Sequence, residues 1–231
     1  MINIILAVTL CVLFSASSNA QFSLNKSGFV INTNDGENSV IVTNTGREPI
    51  LLYATESMDE TKKISGKSLF YLSPPVSKIA PGESQIIRII IKNKKIRMEQ
   101  LARLLFQEVI PRKNFDNKAV ITSAYNIAAV AHPSNLVENI TPWKYLKIVN
   151  KNDHWYIVNN SFYVIRLVPS VRLLSGEKTI GNKLLTQSYI LPKSKLLIGR
   201  YNFKNITRIA IRPVSQTAIT LPEYFISMDN I

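Results

Sequence analysis

Two histidines and one cysteine are the side chains best suited to metal or nucleophilic chemistry, and their placement argues against both. His132 precedes a proline in a polar stretch and His154 stands beside Trp155, with no second ligand at metal spacing near either. Each reads as a linker or surface histidine. Cys11 lies in an apolar N-terminal run, so a chain that has lost that run carries no thiol for a disulfide or a thiolate metal site. No G-x-S-x-G, H-E-x-x-H or glycine-rich phosphate loop occurs. With no nucleophile–base set, no catalytic residue, metal or cofactor is assigned, and binding is expected rather than catalysis. One charge still asks for a reason. Arg88 sits inside the near-unbroken apolar run Ile86 to Ile91, which follows the double proline Pro74-Pro75 and then Pro81-Gly82.

The elements that must carry these residues are strands. Prolines exclude a helix early in Ser68 to Ile91, and β-branched residues suit its last segment to a pleated, partly buried surface. Alternation dominates from Phe22 onward, in FSLNKSGFVI, SVIVTN, EPILLYA, SLFYLS, SQIIRIII, ARLLFQEVI and AVITSAYNIAAVA, separated by turn-forming clusters such as NTGRE, PPVSKIAPGE and PRKNFDNK. Seven such segments in about 110 residues have the count and spacing of an immunoglobulin-like sandwich. KIRMEQLA, before the sixth segment, reads as a short helical turn. A polar, proline-bearing stretch, His132 to Pro142, marks a linker, and beyond it KYLKIVN, HWYIVNN, FYVIRLVPSVRLL, QSYILP, KLLIGRY, TRIAIRP and YFIS resume the pattern. The fold class is therefore all-β, two immunoglobulin-like sandwiches. The expected division is a signal peptide over 1–20, a first domain over 21–133 and a second over 134–231.

The signal peptide is read from the apolar stretch Ile4 to Phe14, followed by Ser18-Asn19-Ala20 as a small-x-small cleavage site. That stretch is too short for a comfortable span, and no second one of spanning length follows, so stable membrane insertion is not expected. The formal charge of +13 comes from basic residues scattered along the chain, densest at Lys92 to Arg97. They read as a solvated loop between strands, and an exported protein meets little nucleic acid.

The proline-punctuated stretch also resembles the signature of periplasmic pilus-assembly chaperones, the partners of outer-membrane ushers. Asn44-Thr45-Gly46-Arg47-Glu48-Pro49 with the strand after it, Pro74-Pro75-Val76-Ser77-Lys78-Ile79-Ala80-Pro81-Gly82 through Gln85 to Ile89, and Leu104 to Pro111 match its parts in order. The second half is similar only in strand pattern and length, with Val158 to Tyr163 near the family's Asn-Pro-Thr-Pro-Tyr-Tyr segment.

The resemblance implies a chaperone of the periplasm that lends a strand to a pilus subunit and delivers it to the usher. The donor strand would be Lys118 to Ala131, with Ala119, Ile121, Ser123 and Tyr125 facing the subunit when His132-Pro133 is placed on the family's Arg-Pro; a one-residue bulge would bring in Val120 instead. Arg88 matches a family arginine of a buried polar network near the domain interface; the plainer alternative is an arginine snorkelling from a sheet face. The family's usual carboxylate anchors fall on Gly28 and Ala128, which have no cation, leaving Lys26, Arg88, Arg112 and Lys113 as the nearest candidates by sequence. The short PRKNFDNK connection and Tyr125-Asn126-Ile127 look closer to the archaic and alternative branches. The competing reading is an immunoglobulin-like surface adhesin or pilus structural subunit. A polysaccharide-binding protein would need aromatics exposed on loops, and Trp143, Trp155 and Tyr156 read instead as second-domain core.

Overall fold

The computed structural model describes residues 21–57, 66–110, 122–200, 206–216 and 218–227. Ala119, Ile121, Arg112, Lys113 and the N-terminal 1–20 lie outside them. Within the first sandwich one sheet has the order β1-β3-β7-β5, built from β1 (Phe22–Leu24), β3 (Glu37–Asn44), β7 (Ser84–Ile91) and β5 (Phe70–Ser73). The facing sheet runs β2-β9-β8-β4-β6, from β2 (Gly28–Asn32), β9 (Ala124–His132), β8 (Gln100–Glu108), β4 (Ile50–Glu56) and β6 (Val76–Ile79). Alternate residues from the two inner faces meet in one core around Phe22, Val40, Leu52, Phe70, Ile87, Leu104 and Phe106. Period-two burial on β3 and β7 shows why these strands read so clearly: one face is core, the other solvent.

Three local expectations fail. FSLNKSGFVI is not one strand, because β1 pairs antiparallel with β3 while β2 crosses to the other sheet and pairs parallel with β9. PPVSKIAPGE is not all turn: Val76–Ile79 pairs with β4, and the prolines sit at the strand's ends where no ladder N–H is needed. KIRMEQLA forms no helix; it is irregular until Gln100 enters β8.

The second sandwich faces a three-stranded sheet, β10 (Leu146–Lys151), β11 (His154–Asn159) and β15 (Ser194–Arg200), against a sheet ordered β13-β12-β16-β17. The latter comprises β12 (Ile165–Ser175), β13 (Lys178–Leu184), β16 (Arg208–Pro213) and β17 (Tyr224–Ser227), and the short β14 (Tyr189–Ile190) also pairs with β12. Strand β13 escaped the sequence reading because KTIGNKL has no fully buried residue and so no apolar alternation. Trp143 and Trp155 pack against the core of Leu146, Ile157, Leu167 and Ile209, as expected. Tyr156 does not belong to it; its ring lies under the Lys195 ammonium at 4.4 Å.

Candidate functional site

The binding edge follows from how far β2 reaches. Strand β2 covers β9 only from the Gly28–Ala128 pair to the Asn32–His132 pair, whereas β8 covers the other side of β9 from Ala124 to Ala131. On the β2 side, no strand among the described residues pairs with Ala124 to Ile127. That side of the strand is an edge no described strand covers, a template for a strand from another chain, with the Asn126 carbonyl accepting from the Arg103 guanidinium. Parity along the edge is as the pattern required. Ala124 and Asn126 are exposed, Ser123, Tyr125 and Ile127 are half-buried, and Ala129 and Ala131 are buried in the core, so odd-numbered side chains face inward.

Tyr125 marks where the chain's own core begins. Its ring meets the fully buried Phe22 edge-on with centroids 5.1 Å apart, and its hydroxyl donates to the Phe22 carbonyl at 3.1 Å. Ser123 Oγ accepts from the Gln21 amide at 3.3 Å. The expectation that Tyr125 would face a partner's groove is thus modified: β1 already occupies it. Of the rest of the expected set, Ser123 is half-buried, and Ala119 and Ile121 fall outside the described residues.

The cations divide differently from the sequence reading. Lys26 is committed, its ammonium donating to Asn38 Oδ1 and to the Ser39 carbonyl, both at 2.8 Å. Arg88 does not join a buried network. Its side chain is 57% exposed on the outer face of β7 and pairs with Glu37 across the β3–β7 ladder, because the residues on either side of it, Ile87 and Ile89, take the inward positions. The snorkelling alternative is the one observed.

A buried polar junction does link the domains, but it is built on other residues. His132, expected at the surface, is 3% exposed. Its Nδ1 lies 2.8 Å from Glu99 Oε1 and its Nε2 lies 2.9 Å from the Leu136 carbonyl. Both ring nitrogens face acceptors, so the pair must hold two protons, both on the ring or one shared out to the carboxyl. The other Glu99 oxygen accepts from the Val164 amide at 2.6 Å, and the Glu99 amide donates to the Phe162 carbonyl at 2.9 Å. One carboxylate at the head of β8 thereby ties the end of β9 to a loop of the second domain. Burial pushes the Glu99 carboxyl above its ordinary value, with the hydrogen bonds from His132 and Val164 opposing. The only sequence signal for this was the polar His-Pro at the linker, placed by resemblance on the family's Arg-Pro.

Between the domains, where the open edge of β9 ends, lies a cavity of about 250 Å³. Gly28 and Ala128 line it from the first domain; Arg166, Tyr163 and Tyr189 line it from the second. A Cβ added at Gly28 would sit 3.7 Å from the Gln216 carbonyl, so the second domain's backbone closes up against the start of β2. Among the described residues no group of three or more His, Cys, Asp or Glu could hold a metal ion, and no helix is long and apolar enough to cross a membrane.

The family model described as pili and flagellar-assembly chaperone, PapD N-terminal domain, matches residues 21–137. The chain belongs to this family. Its members assist assembly as chaperones. In sequence it is 26% identical over 183 residues to YhcA of Escherichia coli K12, described as an uncharacterized fimbrial chaperone, across 78% of this chain and 79% of that one. In fold it is similar to the E. coli chaperone DraB, with TM-score 0.68 and 16% identity over 90% of this chain and 98% of that one. It is also similar to a chain of the CsuC–CsuE chaperone–tip adhesion subunit complex, from the archaic Csu pili of Acinetobacter baumannii. There the TM-score is 0.65 and the identity 19%, over 91% of this chain and 100% of that one. The chaperone fold extends through both sandwiches, which disfavours the adhesin and structural-subunit readings.

Proposed function

We propose that this chaperone acts in the periplasm, holding pilus subunits by donor-strand complementation and passing them to an outer-membrane usher. Residues 1–20 are removed on export, 21–133 form the subunit-binding domain, and 134–231 form the second. The observation that carries the reading is the edge of β9 at Ala124 to Ile127, which no described strand pairs with on the β2 side and along which the odd residues Ser123 to Ala131 face inward. Complementation between chaperones and pilins is a known form of strand addition. Backbone hydrogen bonds give affinity that tolerates sequence, and side chains of period two set the register. SafB, a fold neighbour at TM-score 0.68, was solved in complex with the SafA pilin.

Of the expected donor set Ala119, Ile121, Ser123 and Tyr125, the last packs against Phe22, and Ile121 is the largest apolar side chain among the others. Replacing it with Asp would carry an unpaired charge into an apolar groove, a strongly unfavourable transfer, whereas on a free strand edge water would solvate the same carboxylate. Co-expression with the pilus subunits of the same organism, followed by periplasmic co-purification, tests this. Ile121→Asp should abolish recovery of the subunit and leave the chaperone's melting temperature unchanged. Undiminished recovery would show that the donor strand lies elsewhere.

A further inference from the structure

We propose that Glu108 and Ser123 form a docking site for the α-ammonium of Gln21, filled when Gln21 becomes the first residue of the chain. The inference rests on the reading that residues 1–20 are removed on export, and names what holds the end so created. Along β8 the inward positions are Ala102, Leu104, Phe106 and Glu108, three apolar side chains and then a carboxylate. Glu108 is 7% exposed, and among the described residues no lysine or arginine pairs with it. Burial pushes its carboxyl above the ordinary value, with the Ser123 backbone hydrogen bond opposing. A buried carboxylate with only neutral donors is costly until a cation reaches it.

Gln21 is the residue brought to that carboxylate. With its nitrogen turned inward, the Gln21 side-chain amide donates to Glu108 Oε1 at 2.6 Å and to Oε2 at 3.1 Å. The backbone nitrogen of the same residue donates to Ser123 Oγ at 3.3 Å. Ser123 is itself beside Glu108, whose amide donates to the Ser123 carbonyl at 3.1 Å. From the other side the Thr45 and Gly46 amides hold the Gln21 carbonyl. Inside a longer chain the Gln21 nitrogen has one proton and no charge; as a chain terminus it is an ammonium with three protons to donate. The cation that Glu108 lacks is then supplied by the residue already touching it, as a charge-assisted contact. The consequence reaches β9. The Tyr125 hydroxyl donates to the Phe22 carbonyl, so residues 21 and 22 are stitched to Ser123 and Tyr125, where the uncovered edge begins. A terminus docked there fixes the start of that edge, and a chain still extended before Gln21 cannot supply the charge.

Trace acylation of the folded, exported protein with acetic anhydride from pH 6 to 11, read by mass spectrometry of the tryptic peptide Gln21 to Lys26, tests this. The α-amine of the wild type should titrate at least about one unit above its ordinary 7.7–8.0, because a neighbouring carboxylate favours the charged form. Glu108→Gln should return it to the ordinary range. A second variant keeps Glu108 and inserts one glycine between Ala20 and Gln21, which moves the ammonium off the site; its amine should also titrate normally and its melting temperature should fall. An ordinary amine in the wild type, a raised value that survives either change, or loss of ammonia as Gln21 cyclises onto its own side chain overturns the docking site while leaving processing after Ala20 in place. A first residue other than Gln21 in the wild type overturns the processing reading and the docking site with it.

Discussion

The two domains contain the same device at the same place and use it differently. Asn44 ends β3 and Asn159 ends β11, and both are fully buried. Asn44 Nδ2 donates to the carbonyls of Glu48 and Ile79, and Asn159 Nδ2 to those of Tyr163, Ile190 and Leu191. In each, Oδ1 accepts the amide two residues on, from Gly46 or Ser161. The geometry repeats although the loops, Thr-Gly-Arg-Glu and Asn-Ser-Phe-Tyr, share nothing. In the first domain the fixed loop receives the residue just before β1, as the Thr45 and Gly46 amides donate to the Gln21 carbonyl. In the second it extends to Phe162 and Val164, which hold Glu99 of the first domain. A turn that only closes one sandwich serves, in the other, as the joint between the two.

Alanine at each position should break that comparison apart. Asn159 makes five side-chain hydrogen bonds and Asn44 three, and their removal leaves buried carbonyls unpaired. At about 1 kcal/mol per bond, urea unfolding should show a loss of about 5 kcal/mol for Asn159→Ala and about 3 kcal/mol for Asn44→Ala. The decisive difference is elsewhere. Native-state hydrogen exchange at the Glu99 amide, bonded to Phe162, should quicken only in Asn159→Ala. Equal exchange in both variants would mean that the loop does not hold the joint.

This repeat was invisible in the sequence because its parts are joined by backbone groups far along the chain. Asn44 was named as part of a motif, but nothing local says that its amide reaches Ile79. What is local was legible: period-two burial gave most strands of both sandwiches, and the proline-punctuated stretch gave the family. The misreadings came where local pattern and tertiary place part company. His132 and Arg88 have similar polar character, yet strand ends converge on the first while flanking isoleucines turn the second outward. Strand β13 lacks a buried face, and β6 hides between prolines. Of the candidate site, the strand before the linker and its parity were readable, whereas Glu99 and Arg166 come to line one cavity only when the domains meet.

The joint should also respond to pH, and the sign follows from burial. Glu99 is raised in the folded protein chiefly by desolvation, so folding tightens its hold on a proton. That stabilisation is complete below the unfolded value, about pH 4.3, and is lost as pH rises through the higher folded value. Relative to Glu99→Gln, which keeps an acceptor for the Val164 amide but cannot titrate, the wild type should lose up to about 1.4 kcal/mol per pH unit across that window. Urea midpoints of the two proteins from pH 4 to 8 measure it. Parallel curves would mean that the carboxyl titrates alike folded and unfolded.

Arg88 sharpens the contrast from the other side, because it has a charged partner but no burial. Its ion pair with Glu37 is 57% and 44% exposed, and exposed pairs contribute between nothing and about 1 kcal/mol. Water replaces either partner at little cost once the other is gone. Arg88→Ala should therefore change the unfolding free energy by no more than about 0.5 kcal/mol. Ile87 and Ile89, its immediate neighbours, are fully buried, and alanine at either should cost about 3 kcal/mol. The same strand thus offers an internal scale. If Arg88→Ala instead fell by as much as Ile87→Ala, the outer face of β7 would have to be covered in the folded protein, and the outward placement of Arg88 would be wrong.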